Sequence, residues 1–153
     1  MTGTGFRSIV DCQLDPPWLE WLTRKDDQLQ IFLTDDVSGM PADLWSSAGL
    51  RHAEHVLLQC GGAADPDGEV QMRFACYFGE VFVRSLHGLW TNDPFPYAAP
   101  RATIRFTYTD ARIDVHDHVV LALYHRSGRR WHDLHTAMSA RCAAWRESGR
   151  TNR

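Results

Sequence analysis

Hydrophobic side chains recur at helical spacing in five segments of the chain. The first begins at LDPPW, where Asp15 suits the helix N-cap and proline suits the first turn. A second helix is expected after Pro41 and ends at Gly61–Gly62. The third helix, which is the most apolar, is expected to follow Asp65-Pro66 and to run to about Leu86. Gly88 is its expected stop. The last two are predicted from HDHVVLALYHR and RRWHDLHTAMSARCAAWRES.

Between the third and fourth helices the hydrophobic pattern changes to a period of two. Ile104, Phe106 and Tyr108 alternate with polar residues, which predicts a strand. A turn at Asp110 would return residues 112–115 as a short partner strand. The preceding stretch TNDPFPYAAPR holds three prolines in seven residues and is expected to form an extended loop. The predicted fold is therefore α+β and mainly helical, with about five helices packed around a small antiparallel β-hairpin.

Size and composition are those of an ordinary folded protein. With 153 residues, of which 44% are hydrophobic and 23% charged, residues 1–153 are expected to form a single globular domain. No run of about 18 apolar residues and no basic-then-apolar start is present, so we predict no membrane association and a cytoplasmic location. The four cysteines lie far apart without a Cys-x-x-Cys pair, which excludes zinc-ribbon and thioredoxin-type motifs and indicates reduced thiols.

The net charge of −3 is unevenly distributed along the chain. Residues 1–100 carry 6 basic and 14 acidic side chains, whereas residues 101–153 carry 10 basic and 5 acidic ones. The favoured interpretation is attraction between the two halves within one fold, and the alternative is a charged partner. A nucleic-acid binder using Arg126, Arg129 and Arg130 is disfavoured, because phosphate binding favours a basic domain.

Two short His-x-x-His pairs are candidates for a metal site within a helical bundle. A helix turns about 100° per residue. By that rotation His52, His55 and His132 lie well outside the apolar stripes of their helices, and His135 flanks its stripe. The four imidazoles are not expected to converge, so no metal or other cofactor is predicted.

The motif DVHDHV, which follows the predicted strand, allows two interpretations. If the segment is extended, Asp114, His116 and His118 point to one face, as metal ligands on a strand do, with His125 as a further ligand. If it begins a helix, Asp114 or Asp117 is the N-cap. The capped helix is favoured, and the set of Asp114, His116 and His118 stays as an alternative metal or acid–base site.

The third helix is apolar around more than half of its circumference, and a narrow polar stripe remains. This stripe contains Arg73, Cys76, Glu80, Arg84 and His87. Glu80 and Arg84 are four residues apart, in the favourable order for an ion pair. The favoured interpretation is a solvated stripe, and the alternative is a polar groove in which arginines hold Glu80 ionised.

The proline-rich loop supplies the second part of the candidate binding surface. Trp90, Phe95 and Tyr97 stand among prolines, which keep a loop stiff while aromatic rings supply contact area. These rings either form a recognition surface together with the polar stripe or, as the favoured interpretation has it, fold back over the core.

The stretch FACYFGEVFVRSLHGLW, a proline-rich segment, a strand pair and DVHDHV follow one another over residues 65–125. This order resembles a family of small bacterial domains with an aromatic-x-Gly-Glu helix and a Gly-x-Trp step, found among immunity and interaction proteins of toxin systems. Gly79, Glu80, Gly88 and Trp90 match that pattern, whereas DVHD replaces the commoner Asp-Pro. The resemblance implies an interaction role and no particular catalytic residue.

We therefore expect a non-catalytic cytoplasmic interaction protein of bacterial type, such as an immunity protein or a regulatory partner of another protein. Such a role needs a surface, and the sequence has no nucleophile elbow, phosphate loop or paired carboxylates in an apolar setting. The alternative is a metal-dependent or acid–base enzyme that uses Asp114, His116 and His118. The oligomeric state stays open.

Overall fold

A computed structural model describes residues 8–60, 65–94 and 99–149. Within these ranges, 64% of the residues are helical, and six α-helices accompany one three-stranded antiparallel sheet. This confirms the mainly helical α+β fold. In chain order the elements are α1 (Ile9–Cys12), α2 (Pro16–Ile31), a π-helical turn (Phe32–Asp36), α3 (Ser47–Cys60), α4 (Glu69–Leu86), β1 (Leu89–Asn92), β2 (Ala102–Arg105), β3 (Arg112–Asp114), α5 (Val115–His125) and α6 (Arg130–Glu147).

Helix α2 begins as the sequence predicts, with Asp15 at the N-cap and proline in the first turn, although the Asp15 side chain makes no capping hydrogen bond. Its last turn widens into the π-helical turn, which buries Phe32 completely. The Phe32 ring stacks on Tyr77 and meets the edge of Phe74, with centroids 4.8 and 5.0 Å apart. This contact joins the end of α2 to α4.

Helix α3 begins six residues later than Pro41, where the sequence pattern placed its start. The polar side chains of Asp43 and Ser46 hold the preceding segment in local turns instead. Asp43 accepts a hydrogen bond from the Trp45 amide at 3.1 Å, and the Ser46 hydroxyl accepts one from the Gly49 amide at 3.1 Å. The predicted stop at Gly61–Gly62 lies outside the described residues.

Helix α4 lies at the centre of the fold and is buried on almost every side. Its apolar face is buried, and Cys76 and Glu80 of the polar stripe are buried as well. The favoured prediction of a solvated stripe is therefore wrong at these two positions. Helix α4 ends after Leu86, because the next residue, His87, has a left-handed φ of 58°. The helix therefore stops at His87, one residue before the predicted Gly88.

The sheet has three strands, because β1 adds an unpredicted edge strand to the expected hairpin. Its register pairs Trp90 with Ile104, and Ile104 in turn pairs with Ile113 of β3. The extended-loop prediction was wrong for the first two residues of TNDPFPYAAPR, which belong to β1. Strand β2 ends at Arg105, before the last part of the alternating pattern.

Helix α1, which the hydrophobic pattern did not reveal, lies against the outer edge of β1. Ser8 and Asp11 form a capping box at its start. Just after it, the Gln13 side chain exchanges two hydrogen bonds with the backbone of Asn92, at 2.8 and 2.9 Å. No helix among the described residues is long and apolar enough to span a membrane.

Candidate functional site

Glu80, the central residue of the predicted polar stripe, is only 7% exposed and accepts three side-chain hydrogen bonds. Its Oε2 accepts from Trp90 Nε1 at 2.8 Å and from Lys25 Nζ at 3.2 Å, and its Oε1 accepts from Arg84 Nε at 3.1 Å. Burial alone raises the pKa of Glu80, but these three donors outweigh it and hold the pKa below its ordinary value. We call Lys25, Glu80, Arg84 and Trp90 the Glu80 network.

Two further tryptophan rings, those of Trp45 and Trp21, lie against the Glu80 network. The Arg84 guanidinium lies 4.1 Å from the centroid of Trp45, and Lys25 Nζ lies 5.7 Å from that of Trp90. Trp21 packs against Trp90, with centroids 5.2 Å apart. Every polar group of the Glu80 carboxylate is thereby engaged inside the protein. The network joins α2, α4 and β1 and stabilises their packing, but it offers no carboxylate for acid–base work.

The remaining predicted residues of the binding surface do not assemble into one groove. Arg73 forms a two-pronged ion pair with Asp36 at 2.6 and 3.1 Å, with both side chains largely buried. His87 is exposed at the other end of α4, where Arg146 Nη2 lies 2.6 Å from its Nε2. Phe95 and Tyr97 lie outside the described residues.

The segment DVHDHV begins helix α5, as the favoured interpretation predicted. Asp114 is the N-cap and accepts a hydrogen bond from the Asp117 amide at 2.9 Å, while its other oxygen pairs with Arg101. His116 and His118 are two helical positions apart, about 200° around the axis, so they do not share a face.

The two histidines of this segment have different surroundings. His116 is exposed, whereas His118 stacks on Phe78, with centroids 5.3 Å apart. Burial and the nearby Arg130 lower the pKa of His118. Across residues 8–60, 65–94 and 99–149, no three His, Cys, Asp or Glu side chains are grouped so that they could hold a metal ion.

The structure also brings together a serine and a histidine that are 50 residues apart. The Ser85 hydroxyl donates to the Val81 carbonyl at 2.5 Å and lies 2.9 Å from His135 Nε2. The hydroxyl proton is therefore directed away from the imidazole, and Ser85 accepts from His135. Burial lowers the pKa of His135, and Ser139 lies 3.3 Å from its other ring nitrogen. This pair secures α6 against α4 rather than activating a nucleophile.

An apolar stripe is exposed along helix α5. Val120 is 56% exposed and Tyr124 is 80% exposed, and the two are four residues apart on the same side of the helix. His116 continues the stripe one turn earlier. The opposite side of α5, with Val115, Val119 and Ala122, is buried in the core. We call His116, Val120 and Tyr124 the α5 face.

A cleft lies beside the turn that joins α5 to α6. It has a volume of about 480 Å³ and is lined by four residues of α3 and three residues of the turn. The lining residues are Ala48, Arg51, His52, His55, Ser127, Gly128 and Arg129. We call this the arginine cleft. Hydrophobic periodicity could not reveal it, because its two walls are more than 70 residues apart in the chain.

The turn itself is built from two left-handed residues. Arg126 has a φ of 55° and ends α5, and Gly128 has a φ of 73°. The Arg126 guanidinium donates to the Leu58 carbonyl at 3.1 Å, which fastens the turn to the end of α3. The sequence predicted a break at Ser127–Gly128, and the structure confirms it.

Comparisons with protein-family models, with curated proteins and with solved structures found no match for this chain. The resemblance to bacterial immunity and interaction domains therefore stays a prediction.

Proposed function

We propose that this chain is a non-catalytic cytoplasmic interaction protein of bacterial type, an immunity or regulatory partner, that binds an acidic protein through the α5 face. The observation that carries the proposal is the exposure of Val120 and Tyr124 on one side of a helix whose other side is anchored in the core. In a cytoplasmic setting the four free thiols would stay reduced.

The α5 face has the composition of a helix that docks into a groove. Tyrosine supplies a large apolar ring with a polar tip and is enriched among residues that dominate binding energy. Covering a tyrosine and a valine contributes several kcal/mol, at roughly 25 cal/mol per Å² of apolar surface. Spacing of four residues between anchors is the pattern of helix-in-groove recognition.

The charge next to the α5 face selects the chemistry of the partner. Arg126 and Arg129 come two and five residues after Tyr124, and both are exposed. A partner with carboxylates around an apolar groove would complement this surface, because opposite potentials steer association and fix orientation. The residues of the alternative metal or acid–base site, Asp114 and His118, are engaged in capping and stacking, which favours the non-catalytic role.

Photo-crosslinking from the α5 face tests the proposal. A benzoylphenylalanine that replaces Tyr124 is expected to yield one discrete crosslinked protein in the native host, which mass spectrometry identifies. The same group at Glu20, which is exposed on α2, is the matched control and should not yield that product.

The identified protein is then purified and its affinity is measured. We expect V120D and Y124A to weaken binding at least tenfold, about 1.4 kcal/mol, and added salt to weaken it further. The variant R24A, an exposed arginine on α2, should leave the affinity unchanged within about twofold. A crosslink only to a second copy, a basic partner, or equal losses with R24A would overturn the proposal.

A further inference from the structure

We infer that the arginine cleft is a binding site for a small phosphate-bearing ligand. This inference does not rest on the partner-binding role of the α5 face, because His116, Val120 and Tyr124 do not line the cleft, although Arg129 borders both surfaces. A volume of about 480 Å³ lies within the range of small-ligand sites, roughly 300–1,000 Å³.

The two arginines of the cleft differ from several other arginines in their partners. Among the described residues, five arginines pair with carboxylates, as Arg73 does with Asp36 and Arg112 with Asp93. In the described part of the chain, no ion pair or side-chain hydrogen bond involves the guanidinium of Arg51 or Arg129. These two groups face one concave surface with their donors available, which is the arrangement that captures phosphate oxygens.

Two of the other polar groups lining the cleft, His55 and Ser127, are also hydrogen-bond donors. His52 uses its Nε2 proton on the Ser38 carbonyl at 2.6 Å and is not counted among these donors. His55 Nε2 lies 3.3 Å from the Gln59 amide nitrogen, which only donates, so the His55 proton resides on Nδ1. The Ser127 oxygen accepts from the Arg129 amide at 3.3 Å, which leaves the hydroxyl proton to donate. Together with Arg51 and Arg129, the donors of His55 and Ser127 favour an anion as the ligand.

The buried carboxylate of α3 is directed away from the cleft. Glu54 is fully buried, and its Oε1 accepts from the Trp131 amide at 2.8 Å at the start of α6. It reduces the positive potential there but does not line the cleft. Glu54 and the exposed Asp133 in the first turn of α6 stand against Arg51, Arg129, Arg126, Arg130 and the positive end of the α6 dipole. This balance of charges favours a positive potential in the cleft.

The shape of the site favours a small ligand over a nucleic acid. A nucleic acid is bound by basic side chains that follow a row of phosphates. Here Arg51 and Arg129 line a single concavity, which is large enough for a phosphate or diphosphate group. A phosphorylated metabolite or coenzyme is the class of ligand that we infer.

Titration of the full-length protein with pyrophosphate, followed by amide resonances in ¹⁵N–¹H spectra, tests the inference. We expect saturable shifts at Ser127–Trp131 and at Arg51–His55, with a dissociation constant in the millimolar range or tighter. R51A and H55A, both at exposed positions of α3, should weaken this binding at least tenfold. Y124A should leave it unchanged, which separates this test from that of the partner surface.

Two controls make the titration decisive. R141A removes an equally exposed arginine from the far side of α6 and should change the affinity by less than about twofold. A single-stranded oligonucleotide should bind no more tightly than pyrophosphate. Non-saturating shifts, equal losses in R141A and R51A, or tighter binding of the oligonucleotide through Arg51 would overturn the inference.

Discussion

The Glu80 carboxylate is a charged group that the core tolerates because three donors surround it. Lys25 is also buried and depends on the same carboxylate, although the exposed Asp26 lies 2.9 Å from its Nζ as well. Removing one partner of a buried ion pair leaves the other charge uncompensated, which costs more than the pair itself contributes. Glu80 and Lys25 therefore stabilise the fold only in each other's presence.

We expect E80A to lower the free energy of unfolding by about 3 kcal/mol or more, because Lys25 and the Trp90 indole lose their acceptor. Urea denaturation followed by tryptophan fluorescence measures the change. E20A, at an exposed position of α2, should stay within about 0.5 kcal/mol of the wild type. A loss in E80A no larger than in E20A would contradict the structural role of the network.

The depressed pKa of Glu80 predicts how stability depends on pH. Since its pKa in the folded state lies below the ordinary value of 4.5, the stabilisation from the ionised form is fully present above about pH 4.5. It is lost as the pH falls through the folded-state pKa. The stability gap between the wild type and E80Q should therefore be constant near neutrality and shrink below about pH 4.5, as urea titrations over pH 3–7 can show. A gap that widens on acidification would contradict this assignment.

Part of this network could be predicted from the sequence. The spacing of Glu80 and Arg84 indicated their pair correctly. Lys25, the only lysine of the chain, was missed, although it stands seven residues after Trp18 on the buried face of α2. The contribution of Trp90 could not be foreseen, because it depends on the pairing of β1 with β2, which no local pattern encodes.

At the scale of the element, α4 and β1 fit together through one glycine. The indole of Trp90 lies directly over Gly79, so that a Cβ built on this residue would be 2.2 Å from the ring. Glycine in a helix normally costs about 1 kcal/mol relative to alanine. Here the absence of a Cβ at Gly79 makes room for the Trp90 ring, whose Nε1 donates to Glu80.

We expect G79A to destabilise the protein by about 2 kcal/mol or more, although alanine is the better helix former. The double variant G79A/W90L should be less destabilised than the sum of the two single variants, because the clash is absent once the ring is removed. Thermal and urea denaturation of the four proteins measure this coupling. Additive losses would show that the two residues do not touch.

The elements that could be predicted are those with a local signal. The N-cap at Asp114 and the break at Ser127–Gly128 depend on nearby residues, and both are confirmed. The start of α3 was misplaced, because Asp43 and Ser46 side chains compete for the backbone amides after Pro41. Strand β1 was missed because four residues next to a proline-rich stretch carry too short a pattern to distinguish a strand from a loop.

At the scale of the whole molecule, the uneven charge is only partly neutralised between the two halves of the sequence. Among the described residues, Asp93 is the acidic residue of the 1–100 half that forms ion pairs with arginines of the 101–153 half. Its partners are Arg105 and Arg112. The favoured interpretation, mutual attraction of the halves, therefore accounts for only part of the asymmetry. The arginine cleft and the turn beside it retain a positive potential on a protein whose net charge is −3.

This arrangement predicts binding to a cation exchanger despite the negative net charge. At low ionic strength and pH 7, the wild type should be retarded, because a local patch interacts within a Debye length of about 10 Å at 0.1 M salt. The double variant R51A/R129A should elute earlier than R24A/R141A, which removes the same number of exposed charges elsewhere. Identical elution of the two variants would show that the charge is not localised.

The hydrogen bonds between Gln13 and Asn92 bear on how copies of this protein can associate. A glutamine amide carries the same donor and acceptor as a peptide group, so it occupies the backbone positions at Asn92 that an incoming strand would need. Strand addition is thus blocked at the Asn92 end of β1, although no further strand is built there.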